Sequence, residues 1–380
     1  MKAILFQKII SKAWEISILL VLPMIVLQGH LTVWHVGIFS ALFASMQVVG
    51  GAASALVAQR YGRYFSLIFS LVLNSLSWFL LAFSNSTLLF GVTYLLAGFA
   101  SGLEEATGTV TMAKMTKRGD RAGAMAMNGV MGDIGRLLAS SVVVAGLATI
   151  GVQQVAIIAG IFSMVVAVFQ AQALSSYDSL RATISKHIKI KFFDASLFKN
   201  KKYSYAGVAQ LLDSFSSASL YLFLPLLLSE KGFSDLMAGQ LSLLLFVGYA
   251  GGRVLLGKLS KKRGLGEALI IGEIVMVLSL LGLLLVTDVW VISVLLLLAG
   301  AATRGTSPVV KAMVAEGMKD EDDLDIGIAQ LQIVGRILTS GNRPLLGYIA
   351  AFAGVPGVFI ASSVGALLVA IPARLYEKTT

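Results

Sequence analysis

Ionisable side chains stand inside long apolar stretches of this 380-residue sequence, where water would not solvate them. The acids at such positions are Glu15, Glu104, Glu105, Asp133 and Asp213, and the bases are Arg136, Arg253, Arg304, Arg336 and Arg343. A charge in the middle of a bilayer costs roughly 2.5–3.5 kcal/mol on insertion scales. We therefore expect each of these groups to be paired, to contact water, or to bind a proton or an ionic solute.

All five acids are candidates for proton coupling, and Asp213 is the preferred one. Glu15 and Asp213 each precede a proline of their own stretch, Pro23 and Pro225, by two to three helical turns, which places both near mid-membrane. A purely structural alternative stays open for these two acids. It is a salt bridge to Arg304 or Arg336.

The other three acids differ in their spacing. Glu104 and Glu105 are adjacent, so they point about 100° apart on a helix. We expect at most one of them to face a cavity and the other to meet a neighbouring helix. Asp133 and Arg136 are three residues apart, so they share a helix face and can form a local, structural ion pair.

Arginines in small-residue surroundings are the candidate substrate-binding groups. Arg304 stands between Gly300 and Pro308, with the hydroxyl of Thr303 beside it. A guanidinium offers a bidentate fork that suits a carboxylate or a phosphate. Arg343, between Asn342 and Pro344, has a similar but weaker case.

The elements that must position these residues are apolar segments. The chain is 57% hydrophobic and 13% charged, whereas soluble proteins carry about 25% charged residues. A bilayer core needs about 20 helical residues to span it, so the sequence predicts an all-α polytopic membrane protein. We number the twelve predicted segments 1 to 12: 6–28, 36–58, 65–83, 88–113, 122–146, 150–173, 203–228, 237–259, 267–286, 289–311, 326–349 and 354–376.

Lysine and arginine placement predicts the topology. With the N-terminus inside, 24 of the 30 lysines and arginines fall in inside loops, Lys8 and Lys12 among them, and only Lys231 falls outside. This bias predicts cytoplasmic termini in the plasma (bacterial inner) membrane. It also explains the net charge of +10 without a nucleic-acid partner. The absence of cysteine excludes disulfides and thiolate metal sites.

The two halves of the chain repeat each other. At a spacing of 202 residues, Pro23 matches Pro225, Gly50 matches Gly252 and Leu95–Gly98 matches Leu297–Gly300. At a spacing of 200, Arg136 matches Arg336, so a shared packing role is as plausible for these arginines as a substrate contact. We predict two six-helix bundles, 1–173 and 203–380, joined by a basic linker, 174–202.

A loop motif adds a family resemblance. Gly257, Leu259, Lys262 and Gly264 form G-x-L-x-x-K-x-G between segments 8 and 9, and the first half keeps Arg60, Gly62 and Arg63. With six plus six helices, the chain resembles the major facilitator superfamily over its whole length. The resemblance implies that the loop residues act in gating. The acid of the family motif is replaced by Lys261 and Gln59.

The resemblance also implies a mechanism. Two bundles would rock about a central cavity and open it to alternate sides, with segments 1, 4, 7 and 10 lining it. Segments 3, 6, 9 and 12 would face lipid. None of the ten charged residues assigned to membrane depth lies on those four.

We therefore expect a secondary transporter, and two hypotheses about its solute stay open. The favoured one is a proton-coupled exporter or exchanger of a small organic anion or amphiphile. The other is a proton antiporter for lipophilic cations, in which Glu15, Glu104 or Asp213 would bind the cation. A non-transporting receptor is disfavoured, and the sequence lacks an enzyme's nucleophile set and a phosphate loop for ATP. We expect a monomer without metal or cofactor.

Overall fold

The structure is a computed structural model that describes residues 2–27, 31–115, 121–175, 199–317 and 321–379. Helices make up nearly all of these ranges, and the described residues include no strand. The predicted linker therefore lies almost entirely outside the described residues. The helices are α1 (Lys2–Leu27), α2 (Val33–Ala82), α3 (Thr87–Met115), α4 (Arg121–Ser175), α5 (Lys201–Glu230), α6 (Asp235–Arg263), α7 (Leu265–Leu285), α8 (Val289–Gly317) and α9 (Glu321–Glu377).

Three of the helices are long enough to cross a bilayer twice. α2, α4 and α9 contain 50, 55 and 57 residues. Each is broken at one glycine with a positive φ: Gly62 at 84°, Gly151 at 82° and Gly354 at 75°. L side chains disfavour this backbone conformation, whereas glycine adopts it readily. The breaks separate predicted segments 2 from 3, 5 from 6 and 11 from 12, so the twelve-helix pattern is retained.

Ten described helical stretches are long and apolar enough to span a membrane. Segment 5 is not among them, and segment 11 contributes only its end, from Ser340 onward. Much of both segments consists of residues whose side chains are not described.

The chain divides into two compact units, Met1–Ile188 and Lys189–Thr380. The N-terminal unit contains α1 to α4 and the C-terminal unit contains α5 to α9. The bundle boundaries at 173 and 203 stay a prediction, because the residues between them are mostly not described.

Glycines allow the same helix crossing in each unit. A Cβ on Gly50 of α2 would collide with the Phe99 carbonyl of α3, and one on Gly252 of α6 would collide with the Ala301 carbonyl of α8. Gly252 follows Gly50 by 202 residues, and Ala301 follows Phe99 by the same spacing. Gly98 against Phe43 and Gly300 against Leu245 repeat the relation. Small residues let helix backbones approach closely inside membranes, so the sequence repeat corresponds to a repeat of packing.

The predicted loop between segments 8 and 9 is mostly helix. Gly257 to Arg263 form the last turns of α6, and only Gly264 leaves the helical conformation, with φ of 93°. α7 starts at once, and the Glu377 carboxylate accepts a hydrogen bond from the Gly266 N–H at 2.6 Å. The connection between the two segments is thus shorter than the predicted gap from 259 to 267, because one glycine with a positive φ reverses the chain by itself.

Candidate functional site

A lysine lies at the centre of the polar cluster in the N-terminal unit. Lys12 of α1 is buried, at 4% exposure. Its Nζ donates to the carboxylate of Glu15 one turn along α1 and, at 2.8 Å, to Glu105 Oε2 of α3. One ammonium thus stabilises two carboxylates and connects α1 to α3.

Glu104 also reaches α1. Its carboxylate is buried and accepts a hydrogen bond from the Ser11 hydroxyl. Glu104 and Glu105 therefore contact consecutive residues of the same helix. Glu105 meets the neighbouring helix through Lys12, as expected for one of the two acids.

An arginine attaches α4 to this cluster. Arg136 donates to Asp133 Oδ1 at 2.7 Å and lies 3.9 Å from Glu15 Oε1. The predicted pair of Asp133 and Arg136 is thus present. Glu15 also accepts from the Ser101 hydroxyl at 3.3 Å, so it has partners on α1, α3 and α4.

Basic residues nearly balance the acids of this cluster. Lys8 is buried on α1 and acts electrostatically on Glu104, Glu105 and Glu15. With Lys12 and Arg136 it gives three bases for four acids. Assigning Lys8 and Lys12 to an inside loop was wrong, because α1 carries them into the bundle. The charge bias falls to 22 against one.

A small cavity adjoins these acids. Its volume is about 10 Å³, and Ser11, Trp14, Glu15, Ser101 and Glu104 are among the lining residues. This space and its polar lining suit about one water molecule.

The C-terminal unit holds a different arrangement around Asp213. This carboxyl on α5 is 3% exposed, and its Oδ1 accepts from the Thr306 hydroxyl of α8 at 2.9 Å. Among the described residues, Asp213 has no ion pair within 4.0 Å. Arg304 acts on it electrostatically from farther away, so the alternative of a salt bridge to Arg304 is not present. The other alternative, a salt bridge to Arg336, lies outside the described residues.

A second buried acid, Glu273 of α7, interacts electrostatically with Asp213. Thr306, which bonds to Asp213, also lies against α7 at Gly272, the residue before Glu273. Glu273 is 2% exposed, and no described donor bonds to either of its oxygens. Among the described residues, no cation contacts either of these two buried carboxyls.

Glu273 is a residue that the sequence reasoning missed. It lies within segment 9, which was expected to face lipid and to carry no membrane-depth charge, and that expectation is wrong. The signal was available, since Glu273 is an acid inside the predicted span 267–286. Its burial shows that this part of α7 faces other helices and not lipid.

The candidate substrate-binding residues of the C-terminal unit lie beside tyrosines. The Arg304 guanidinium lies over the Tyr249 ring, 5.4 Å from its centroid. Arg343 is buried, donates to the Tyr221 hydroxyl and lies 5.8 Å from that ring's centroid. Thr303 donates to the Ala299 carbonyl of its own helix at 2.7 Å. The side chain of Arg336 lies outside the described residues.

The candidate gating residues divide by exposure. Arg60 and Lys262 are exposed, and Arg60 lies over the Tyr61 ring at 5.4 Å. Arg63 is buried. Gly62 and Gly264 are the helix breaks, and Gly257 lies within α6 with open space beside it.

The chain matches one family and several solved folds. The profile of the Major Facilitator Superfamily matches residues 11–191 and 206–380. A bacterial homologue of the human lysosomal transporter Spinster, inward-facing and unoccupied, has a TM-score of 0.80 at 15% identity, over 99% of this chain and 96% of that one. A mutant of the nucleoside transporter NupG has a TM-score of 0.83 at 11% identity, over 98% of both chains. No curated protein sequence matches the chain significantly.

Proposed function

This chain belongs to the Major Facilitator Superfamily, and we propose that it is a secondary active transporter that exchanges protons for a small organic anion or amphiphile. It is a membrane-embedded transporter of a small molecule and not an enzyme. The proposal adds the coupling ion, the cargo class, export by rocker-switch alternating access, and a plasma (bacterial inner) membrane location. It also includes cytoplasmic termini and a monomeric state.

The observation that carries proton coupling is the environment of Asp213. A coupling carboxyl must gain and lose a proton during each cycle. Asp213 is buried, receives one hydroxyl hydrogen bond from Thr306, and has no cation in contact among the described residues. The Gln210 amide also donates to it at 3.5 Å, but no described cation in contact fixes it in the ionised form.

The acids of the N-terminal unit are weaker candidates. Glu15, Glu105 and Asp133 have a lysine or an arginine in contact. Such a cation favours the ionised carboxylate and opposes its protonation. Glu104, which bonds to Ser11, is the second choice for proton coupling.

The favoured cargo follows from the arginines of the C-terminal unit. Arg304 and Arg343 each combine a guanidinium with a tyrosine ring. The guanidinium suits a carboxylate or sulfonate, and the aromatic face suits an apolar body. This combination favours an amphiphilic anion. Arg136, already bonded to Asp133, is more suited to structure, and Thr303 is engaged with its own helix.

A lipophilic cation is the competing cargo. It would need a carboxylate that no protein cation occupies. Glu15 is disfavoured for this role by Lys12 and Arg136, whereas Asp213 and Glu104 stay suitable. The competing proposal therefore rests on two of the three acids first considered.

Transport-linked proton movement tests the proposal. Purified protein is placed in liposomes that contain a pH dye, and monocarboxylates, aryl sulfonates or tetraphenylphosphonium are added outside. We expect an anion to trigger proton flux, Asp213→Asn to abolish the flux, and Arg304→Ala to abolish binding of that anion. Glu267→Gln, an exposed acid on α7, is the matched control and should leave the flux unchanged.

Two results would count against the proposal. Proton flux that is triggered by tetraphenylphosphonium and is retained in Arg304→Ala would favour a lipophilic cation as the cargo. Anion transport without any change in internal pH, in the wild type and in Asp213→Asn alike, would remove proton coupling.

A further inference from the structure

We propose that Asp213 and Glu273 form one proton-binding site, in which a single proton bridges the two carboxyls. This inference deepens the proposed proton coupling and rests on it for its role in transport. Glu273 is the residue that it adds, and the site is contained entirely within the C-terminal unit.

The geometry of Glu273 requires a proton donor. Both of its oxygens are buried, and no described N–H or O–H group donates to them. A buried carboxylate without donors is costly, because it loses its hydration and gains nothing in return. The Asp213 carboxyl is the group that acts on Glu273 electrostatically, and Thr306, which bonds to Asp213, lies against α7 at the adjacent Gly272. A proton on either acid turns this contact from a repulsion between acceptors into a hydrogen bond.

The charges around the pair indicate how many protons it holds. α6, α8 and α9 pack against α5 or α7. α8 brings Arg304, which acts on Asp213, and Thr306, which bonds to it. Among the described residues, α6 and α9 bring no charged group to bear on either carboxyl. Arg304 is the one described positive charge that acts on the pair, so against the described charges the electrically balanced state of the pair holds one proton.

Two buried carboxyls that interact electrostatically titrate as a unit. Two like charges in contact cannot both ionise readily, and two buried carboxyls commonly share one proton. Because Asp213 is on α5 and Glu273 is on α7, the shared proton is held only while these helices keep their spacing. A movement that separates the two carboxyls would break the bridge and release the proton.

Infrared spectroscopy of the full chain in lipid nanodiscs tests the site without any substrate. The C=O stretch of protonated carboxyls is compared between the wild type and the double variant Asp213→Asn/Glu273→Gln. At the acid end of a pH titration the wild type should exceed the variant by two carboxyls, which calibrates the band. Near neutral pH the difference should be half as large, since the pair then holds one proton.

Each other result has a definite meaning. If the difference in the carboxyl band between wild type and double variant is as large near neutral pH as in acid, the site holds two separate protonated acids. If that difference is zero near neutral pH, both acids are ionised. Either overturns the shared proton. Glu267→Gln should show no difference near neutral pH. If the double variant does not fold, Glu273→Gln alone should remove the same neutral-pH band, since its amide can donate to an ionised Asp213, and a persistent band contradicts the proposal.

The two proposals fail in different ways. A half-sized band without transport-linked proton flux retains the proton site and removes its coupling role. Proton flux that depends on Asp213, together with a neutral-pH carboxyl difference that is full-sized or zero, supports proton coupling. It contradicts a proton shared between Asp213 and Glu273.

Discussion

The two units place a hydroxyl and a carboxylate at the same repeat positions, with the roles exchanged. In the N-terminal unit, Ser11 of α1 donates to Glu104 of α3. In the C-terminal unit, Thr306 of α8 donates to Asp213 of α5. Asp213 follows Ser11 by 202 residues, and Thr306 follows Glu104 by the same spacing. The repeat has thus kept the helix contact while the acid moved to the other helix.

The surroundings of the two pairs differ more. Lysine and arginine contact the acids of the N-terminal cluster, whereas the described neighbours of Asp213 are Thr306, Gln210 and Glu273. At the spacing of 202 residues, Lys12, Glu15 and Glu105 correspond to Ser214, Ser217 and Ser307. The N-terminal cluster therefore suits helix anchoring, whereas no described cation contacts the C-terminal pair.

Glycine substitution should have the largest effect, and it tests what the units share. We expect Gly252→Val to lower the free energy of unfolding by at least about 3 kcal/mol, since its side chain would collide with the Ala301 carbonyl. Gly50→Val should act similarly against Phe99. Thermal unfolding in detergent measures the loss.

The neighbouring Gly251 supplies the control. It is exposed, and a Cβ there meets nothing within 4 Å. Gly251→Val carries the same helix propensity cost without the collision. Equal losses at 251 and 252 would mean that close helix approach is not what the glycine provides.

Removing Lys12, the central cation of the N-terminal cluster, should lower stability more than neutralising Asp213 in the C-terminal unit. Lys12→Ala leaves Glu15 and Glu105 without their shared ammonium, and losing one partner of a buried ion pair costs about 3–5 kcal/mol. Asp213→Asn should cost about 1 kcal/mol or less, because an amide keeps a hydrogen-bonding partner for Thr306. Equal unfolding temperatures for the two variants would contradict an anchoring role for the N-terminal cluster. Lys12→Ala combined with Glu105→Gln should recover part of the loss.

The exchanged hydrogen bond should give the smallest effect. Thr306→Val keeps the side-chain shape and removes the hydroxyl that bonds to Asp213, and Ser11→Ala removes the one that bonds to Glu104. Each should lower stability by about 1–2 kcal/mol. Chemical denaturation compares them, with Ser141→Ala, whose exposed hydroxyl bonds to its own helix, as the control. No loss in either variant would mean that the exchanged bond stabilises neither unit.

Much of the architecture was readable from the sequence, because apolar length and glycine spacing fix it locally. The segment pattern predicted the helices, and Gly62 and Gly264, 202 residues apart, both adopt a positive φ. The pair of Asp133 and Arg136 followed from helix periodicity. Spacing could not show that Gly257 to Arg263 stay helical, since an eight-residue motif fits a loop or two helical turns equally well.

Side-chain partners could not be read in the same way. Lys8 and Lys12 resemble terminal loop charges in the sequence, and only the path of α1 through the bundle buries them against Glu15, Glu104 and Glu105. Glu273 stands in a segment that the resemblance directed toward lipid, and only the packing of α7 brings it to Asp213.

The sequence by itself determined a helical membrane protein with an internal repeat, since membrane spanning and close helix packing depend on composition and on spacing along the chain. Tertiary structure decided which of the described carboxyls have a cation in contact and which do not. The reason is that partners such as Asp213 and Thr306, or Ser11 and Glu104, lie 93 residues apart in the chain. Contacts of that range depend on how helices cross, and no local pattern encodes the crossing.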